Sequence, residues 1–237
     1  MDGNGKTHFG KLSSDTSLNN WPFVLFTWGM QHEKRRMPSE KQIWPYFPLG
    51  IFLFPGEEHP LRIFEPRYQQ LINDVRSSGK PFVIPYVSRE EIQPYGCEVE
   101  LDEVVGEHPE GRMVINVRSR EVVEILSYEK RLGDRLYAGG RVAPVRINGK
   151  ETGPGLQSLI GELLLLDPSF LSCCGGGLNG VSRLDLLKAL NLSSEDKHSY
   201  VRSLSVQQEE AFLNSRLRFL MMIRRQEQQL DNDYGLN

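Results

Sequence analysis

The sequence has few cysteines and lacks the spacing patterns by which cysteine builds a framework. Its 237 residues contain three, at Cys97, Cys173 and Cys174, and an odd count with one adjacent pair is a poor basis for disulfides. Neither C-x-x-C nor a paired Cys/His spacing is present, which argues against a structural metal site. We interpret the three thiols as small apolar residues in a reducing compartment and expect a cytoplasmic protein.

Long apolar runs and a strong net charge are also absent. No apolar stretch approaches the ~20 residues that a membrane-spanning helix needs, so we predict no membrane partner. The formal net charge is −3 with 25% charged residues, whereas a general nucleic-acid binder usually shows a basic face. The composition therefore argues against nucleic acid as a partner, while 39% hydrophobic residues suffice for a globular core.

Motifs for catalysis and for cofactor binding are missing too. The triple glycine at 175–177 lacks the G-x-x-x-x-G-K-[ST] pattern of a phosphate loop, and paired carboxylates such as Glu57 and Glu58 are sequence neighbours, which rarely converge as acid and base. Three histidines lie among turns and polar stretches, and we interpret them as surface residues: His59, His108 and His198. The sequence therefore predicts no catalytic residue, no cofactor and no metal, and we expect a protein that is not an enzyme.

The most informative pattern that is present runs from Phe47 to Tyr68 and reads FPLGIFLFPGEEHPLRIFEPRY; we call it the 47–68 segment. Its first part, Leu49 to Phe54, is apolar and aromatic, which predicts a buried strand. Pro55-Gly56 then predicts a type II turn, in which the glycine takes a positive φ. A second apolar stretch, Leu61 to Phe64, follows the turn.

A helix is predicted directly after this stretch. Pro66 stands where it would begin, because the missing N–H of proline would have no partner in a first helical turn. The apolar residues that follow fall on one helical face: Tyr68, Leu71, Ile72 and Val75. Gly79 is placed to end the helix in a left-handed conformation.

From Pro81 to Ile147 the apolar residues alternate with polar ones, which predicts strands with one buried face. Turn residues at His108 to Gly111 and at Leu132 to Asp134 predict hairpins that curl into a small barrel. Beyond Gly155 the pattern becomes helical, with capping-box signals at Ser182-x-x-Asp185 and Ser205-x-x-Gln208.

The pattern from Pro48 to Tyr68 resembles the opening of the Lon protease N-terminal domain, also called the LON substrate-binding domain, and is most similar to its stand-alone bacterial versions. The similarity extends over about Trp44 to Ile147. Its further blocks are Phe82–Val87, Tyr95–Leu101, Gly111–Met113 and Leu136–Gly140. The resemblance implies a PUA-like β-barrel. No Walker A motif and no stretch resembling the Ser–Lys protease domain of full Lon appears in the sequence.

These patterns together predict an α+β fold with three parts. Residues 1–42 are expected to be a disordered leader, and one hypothesis is that translation starts at Met30 or Met37. Residues 43–148 are expected to form the Lon N-terminal, PUA-like β-barrel domain. Residues 149–237 are expected to form a C-terminal helical subdomain that packs as a bundle or on the barrel.

Three functions remain open. The resemblance implies a non-enzymatic module that binds unfolded or exposed-apolar polypeptide segments. Whether it works with an ATP-dependent protease or a chaperone in trans is left open. The PUA-like architecture also suggests an RNA-binding module, although fold does not fix function. Arginines clustered on one face would support it: Arg112, Arg118, Arg120, Arg131, Arg135 and Arg141. The third alternative is a small hydrolase, which would need a histidine within hydrogen-bond reach of a serine or cysteine.

Partner contacts are predicted within the 47–68 segment at His59, Arg62, Phe64, Glu65 and Arg67. His59 and Arg62 follow a turn, and turns lie on surfaces, while Phe64 belongs to the apolar set that would form a binding groove. Glu65 and Arg67 flank the predicted helix start. They either contact a partner or cap and orient the helix, where a carboxylate suits the N-terminal dipole, and of the two we favour the structural role.

Overall fold

The computed structural model describes residues 42–147, 152–172, 181–203 and 205–234. Its elements are, in chain order, β1 Trp44–Tyr46, β2 Glu58–Ile63, α1 Pro66–Ser78, β3 Phe82–Ser88, β4 Glu91–Glu107, β5 Met113–Ile125, β6 Ala138–Gly140, β7 Val142–Val145, α2 Pro154–Leu166, α3 Arg183–Ala189, α4 Ser194–Val201 and α5 Val206–Tyr234. The predicted leader up to residue 41, the cysteines 173 and 174 and the triple glycine lie outside the described residues.

In the described residues, seven strands form one sheet with the order β2-β5-β4-β3-β1-β6, and β7 pairs with β5. β6 pairs with β1 and β7 pairs with β5, and Arg141 alone separates β6 from β7. The segment 138–145 therefore reaches from one side of a curled sheet to the other without completing a closed ladder. The α+β class is confirmed, and the barrel takes the form of this curled sheet.

The start of the 47–68 segment differs from the prediction. Leu49 to Phe54 is buried at its end, with Phe52 1% and Phe54 0% exposed, but it contains one isolated bridge instead of a strand. Two N–H groups in its buried part donate to side chains: Phe52 to Ser194 Oγ at 3.0 Å, and Leu53 to Cys97 Sγ at 3.0 Å. The predicted strand is wrong because side chains replace a neighbouring ladder as the hydrogen-bond partners.

The turn and the helix follow the prediction. Gly56 has φ +84°, and the N–H of Glu57 donates to the carbonyl of Phe54 at 3.0 Å. α1 begins at Pro66, and Gly79 ends it at φ +64° with its N–H on the carbonyl of Val75. The four apolar residues of the predicted stripe are all buried in α1, so the stripe attaches the helix to the sheet.

The C-terminal helices share a core with the sheet, since one buried cluster contains residues of β2 to β5 and of α1 to α5. Ser182 and Asp185 form the predicted capping box of α3, and Ser205 Oγ accepts from the N–H of Gln208 at 3.3 Å. The division of the chain at 148/149 into two subdomains stays a prediction.

The prediction for the histidine of α4 is wrong. His198, which we expected on the surface, is 5% exposed and lies among three aromatic rings, with its own ring centroid 5.8 Å from Phe52, 5.0 Å from Tyr86 and 6.0 Å from Tyr95. Within the part of the chain that is described, its Nε2 has no hydrogen-bond partner. α4 looked polar in sequence because its buried residues include Lys197 and His198, which count as surface types in any hydropathy pattern.

Candidate functional site

A shallow depression of about 590 Å³ opens where β2 ends beside the turn that joins β4 to β5. We call it the β2 depression, and its lining is Arg62, Ile63, Phe64, His108, Arg112, Met113 and Val114. Ile63 and Met113 are 1% and 3% exposed and belong to the core, so they contribute little of its surface. The strand register pairs Ile63 with Met113 and Arg62 with Val114, which brings the two parts of the lining together.

Phe64 is the exposed apolar residue of this depression. It follows the last residue of β2 and precedes the N-cap of α1, and 65% of it is exposed. The side-chain amide of Gln69, one turn into α1, donates to its carbonyl at 3.2 Å, which holds the backbone at this junction. A single exposed apolar residue is ordinary, but this one lines a depression together with Val114 of β5.

The structure separates the five predicted contact residues. Arg62 and Phe64 line the β2 depression. Glu65 and Arg67 bind each other, with 2.7 Å between the carboxylate and the guanidinium, and Arg67 also lies 4.5 Å from the ring centroid of Tyr68. His59 alternates with Arg62 along β2, so the two side chains point to opposite faces. That the five residues contact a partner stays a prediction.

The structural role predicted for Glu65 and Arg67 was to cap and orient α1. Glu65 occupies the N-cap of α1, yet its side chain makes no capping hydrogen bond within the described residues. Its carboxylate accepts from Arg67 Nε at 2.8 Å instead. The two side chains therefore form an ion pair at the helix start, and the Glu65 side chain does not cap the helix.

Sequence reasoning missed the half of the depression that comes from β5 and the preceding turn. Arg112, Met113 and Val114 belong to it, together with His108. The signals available were the turn residues at 108–111 and the alternation after them, and both were used to predict a hairpin. Neither gives the register between β2 and a strand some fifty residues later, so the sequence could not show that the two lie side by side.

The side chains that line the β2 depression include basic groups but no acidic one among the described residues. The basic groups are two arginines and a histidine. Arg112 pairs with Glu110 at 3.0 Å, but the side chains are 66% and 74% exposed, and such pairs are weak. Arg62 is itself exposed and belongs to none of the ion pairs between described residues. The depression therefore offers cationic groups on a chain whose net charge is negative.

β2 also offers backbone groups, because no strand of the described chain pairs with its second edge. The N–H of Ser119 donates to the carbonyl of Glu57, so this carbonyl points toward β5. Because the direction of the backbone groups alternates along a strand, those of Glu58, Pro60 and Arg62 point away from β5. Pro60 has no N–H, which fits an edge position. The outward-pointing carbonyls of these residues and the N–H of Arg62 lie next to the β2 depression.

A second depression, of about 680 Å³, lies between α1, β1 and the loop before β6. Its central polar groups have partners within the chain. Asp74 accepts from the Tyr137 hydroxyl at 2.8 Å and from Arg135 at 3.1 Å, and burial is the main cause that raises the pKa of Tyr137 to about 12. These contacts attach the loop to α1, and we assign this depression to structure.

The arginines that would have supported RNA binding are mostly paired with carboxylates. Arg118 lies 2.8 Å from Glu58, and Arg120 lies 3.6 Å from Glu98. Arg112 and Arg135 also have acidic partners. These pairs place carboxylates beside four of the six arginines, which weakens the case for a phosphate backbone as the ligand.

Groups suited to hydrolysis are not assembled in the described part of the chain. Cys97 is fully buried, and burial raises the pKa of its thiol to about 12, so it stays protonated and unreactive near neutral pH. Across the described ranges there is no set of three or more His, Cys, Asp or Glu side chains that could hold a metal. The helices of the described ranges are all too short or too polar to cross a membrane.

Comparisons with known proteins agree with the fold. A protein-family model described as the ATP-dependent protease La (LON) substrate-binding domain matches residues 43–221. The crystal structure of a Lon N-terminal domain protein from Xanthomonas campestris is similar with a TM-score of 0.53 and 22% identity, over 73% of this chain and 98% of that one. The N-terminal domain of the Mycobacterium avium complex Lon protease has a TM-score of 0.51 and 16% identity, over 78% and 98%. None of the curated proteins searched matches.

Proposed function

This chain belongs to the LON substrate-binding family, and on that premise we propose that it is a non-catalytic domain that binds unfolded polypeptides through their exposed apolar segments. It holds them for an ATP-dependent protease or a chaperone that acts in trans. A place in cytoplasmic protein quality control is part of the proposal. The family match and the unreactive, buried thiol of Cys97 support it.

The observation that carries the proposal is the exposure of Phe64 beside the β2 depression. The other phenylalanines of the 47–68 segment are buried, with Phe47 3%, Phe52 1% and Phe54 0% exposed, whereas Phe64 is 65% exposed. Burying a phenylalanine side chain contributes about 1.5–3 kcal/mol. A partner that covers Phe64 gains most of this free energy, since the ring is not already used in the core.

The edge of β2 adds a means of holding a polypeptide without reading its sequence. An extended segment next to the edge meets the carbonyls of Pro60 and Arg62 and the N–H of Arg62, and main-chain hydrogen bonds of this kind are common to all sequences. Pro60 limits the added ladder to a few residues. We therefore expect weak, reversible binding per segment, strengthened when one unfolded chain offers several segments.

The proposal is tested with a fluorescently labelled, permanently unfolded polypeptide and fluorescence anisotropy. We expect saturable binding that weakens about tenfold in Phe64→Ser, because the apolar anchor is lost. Phe219→Ser is the matched control, since Phe219 is 54% exposed but lies on α5. A native, folded version of the same polypeptide should not bind.

Two results contradict the proposal. One is the absence of binding by the wild-type chain to any unfolded polypeptide at concentrations where its fold is intact. The other is equal weakening by Phe64→Ser and Phe219→Ser, which would show that any exposed ring serves and that the β2 depression is not the site.

A further inference from the structure

We infer that the β2 depression selects apolar segments flanked by acidic residues, so that its polypeptide ligands carry Asp or Glu beside the side chain that covers Phe64. The inference rests on the proposed function and adds the chemistry of the ligand. The lining that carries it has four apolar side chains and three basic ones, with no carboxylate among the described residues.

Phe64 and Val114 are the lining apolar residues that are not buried in the core, and the two arginines lie beside them. Arg62 and Val114 are directly opposite in the β2–β5 register, and Phe64 and Arg112 each lie two residues from one member of this pair. Phe64 and Arg112 lie one residue beyond the strand ends, and all four side chains line the same depression. A ligand side chain on Phe64 therefore brings its neighbours within reach of Arg62 and Arg112.

Arginine binds a carboxylate through a planar fork of N–H donors, which makes it the cation best suited to this contact. Arg62 belongs to no ion pair between described residues, so a ligand does not have to displace an acidic partner from it. Glu110, the partner of Arg112, is 74% exposed, and an exposed pair of this kind is readily exchanged for another carboxylate.

The sign of this surface is opposite to that of the chain as a whole. Asp and Glu number 31 against 28 Lys and Arg, and other acidic side chains near the depression are already engaged. Glu65 pairs with Arg67 and Glu107 with Arg76. A basic lining on an acidic protein discriminates between ligands by charge, since the remaining surface repels acidic segments that do not reach the β2 depression.

The test uses three synthetic peptides with one apolar centre and with flanks of Glu, Ser or Lys, measured by anisotropy on the full chain. We expect the Glu peptide to bind most tightly and the Lys peptide least tightly, with about a two- to fivefold gain over Ser for each arginine engaged. Arg62→Gln should reduce the Glu-to-Ser ratio by about this factor, and high salt should reduce it in the wild type.

Arg225→Gln is the matched control, because Arg225 is an exposed arginine on α5 and its loss should leave the ratio unchanged. Equal affinities for the three peptides, or an unchanged ratio in Arg62→Gln, would overturn the inference. If Phe64→Ser still weakens all three peptides, the proposed function survives that result. If none of the peptides binds and unfolded polypeptides do not bind either, both fall together.

Discussion

The two halves of the 47–68 segment differ in composition and in environment, since the first is apolar and aromatic and the second carries most of the charged residues. The half from Phe47 to Glu57 is irregular and buries three phenylalanine rings, and its Phe52 and Leu53 N–H groups donate to side chains of α4 and β4. The half from Glu58 to Arg67 contains β2, whose second edge pairs with no strand of the described chain, and it exposes Phe64. An aromatic motif can therefore hold a fold together with one half and present a ring to solvent with the other.

The difference arises from what packs against each half. α4 covers the buried half: the ammonium of Lys197 lies 2.6 Å from the Glu57 carboxylate, and the ring of Tyr200 lies edge-on to Phe54. In the described residues, the other half has no strand on its outer side. If this comparison is correct, substitutions in the first half change stability and substitutions in the second change binding.

The largest expected effect is that of Phe52→Ala. Phe52 is 1% exposed and contacts the rings of Phe54, Tyr86 and His198, so truncation leaves a cavity that costs about 3–5 kcal/mol. Urea denaturation followed by circular dichroism measures the free energy of unfolding. Phe52→Leu, which fills more of the space, should cost less, and equal costs for the two variants would contradict a packed aromatic cluster.

Glu57→Gln should have the next largest effect. The Glu57 carboxylate accepts from Lys197 Nζ at 2.6 Å and from the N–H of Phe54 at 2.8 Å, and both charged side chains are mostly buried. Removing the carboxylate leaves a buried ammonium without its partner and costs about 3 kcal/mol.

The double variant Glu57→Gln/Lys197→Met should be less destabilised than the sum of the two single variants, because it leaves no unpaired charge. Urea midpoints of the four proteins complete the cycle. Strict additivity would show that the pair contributes nothing to the attachment of α4.

A smaller effect concerns pH. Burial, and to a lesser extent the charge of Arg202, lowers the pKa of His198, so the folded state favours the neutral ring. The unfolded chain, with an ordinary pKa of about 6.5, takes up a proton first as the pH falls. Stability should therefore decrease from about pH 6.5 down to the folded pKa, by at most ~1.4 kcal/mol per pH unit, and should not depend on this residue at higher pH.

His198→Phe should remove this part of the pH dependence, and His108→Gln, at an exposed histidine in the β4–β5 turn, should keep it. The measurement is the free energy of unfolding of each variant between about pH 5 and pH 8, the range in which histidine titrates. Wild-type and His198→Phe curves with the same slope would contradict the buried, neutral state of the ring.

How much the sequence predicted depends on how local the cause is. α1 was predicted from Pro66 to Gly79 because its start, its stripe and its end are all set by residues within the helix. The irregular backbone of Leu49 to Phe54 was not, because the partners of Phe52 and Leu53 are 142 and 44 residues away. The burial of His198 was missed for the same reason, since its aromatic neighbours come from three other parts of the chain.

The same distinction between local and distant causes applies to the residues of the candidate site. Arg62 and Phe64 were predicted because they follow a turn at the end of an apolar stretch, both of which are local signals. Arg112 and Val114 were not, because alternation in β5 gives the two faces of the strand but not its neighbour. Strand register is set by pairing across a long loop, and a single sequence carries little information on it.

The smallest expected change in stability is that of Phe64→Ser, and it gives the sharpest test of the comparison. Because Phe64 is 65% exposed, its removal should change the free energy of unfolding by no more than about 0.5 kcal/mol. Its neighbour Ile63 is 1% exposed, so Ile63→Ala should cost about 2–5 kcal/mol. Urea denaturation of both variants, beside the binding assay, separates the two roles. A large loss of stability in Phe64→Ser would mean that the ring supports the fold and would remove the reason to place a ligand on it.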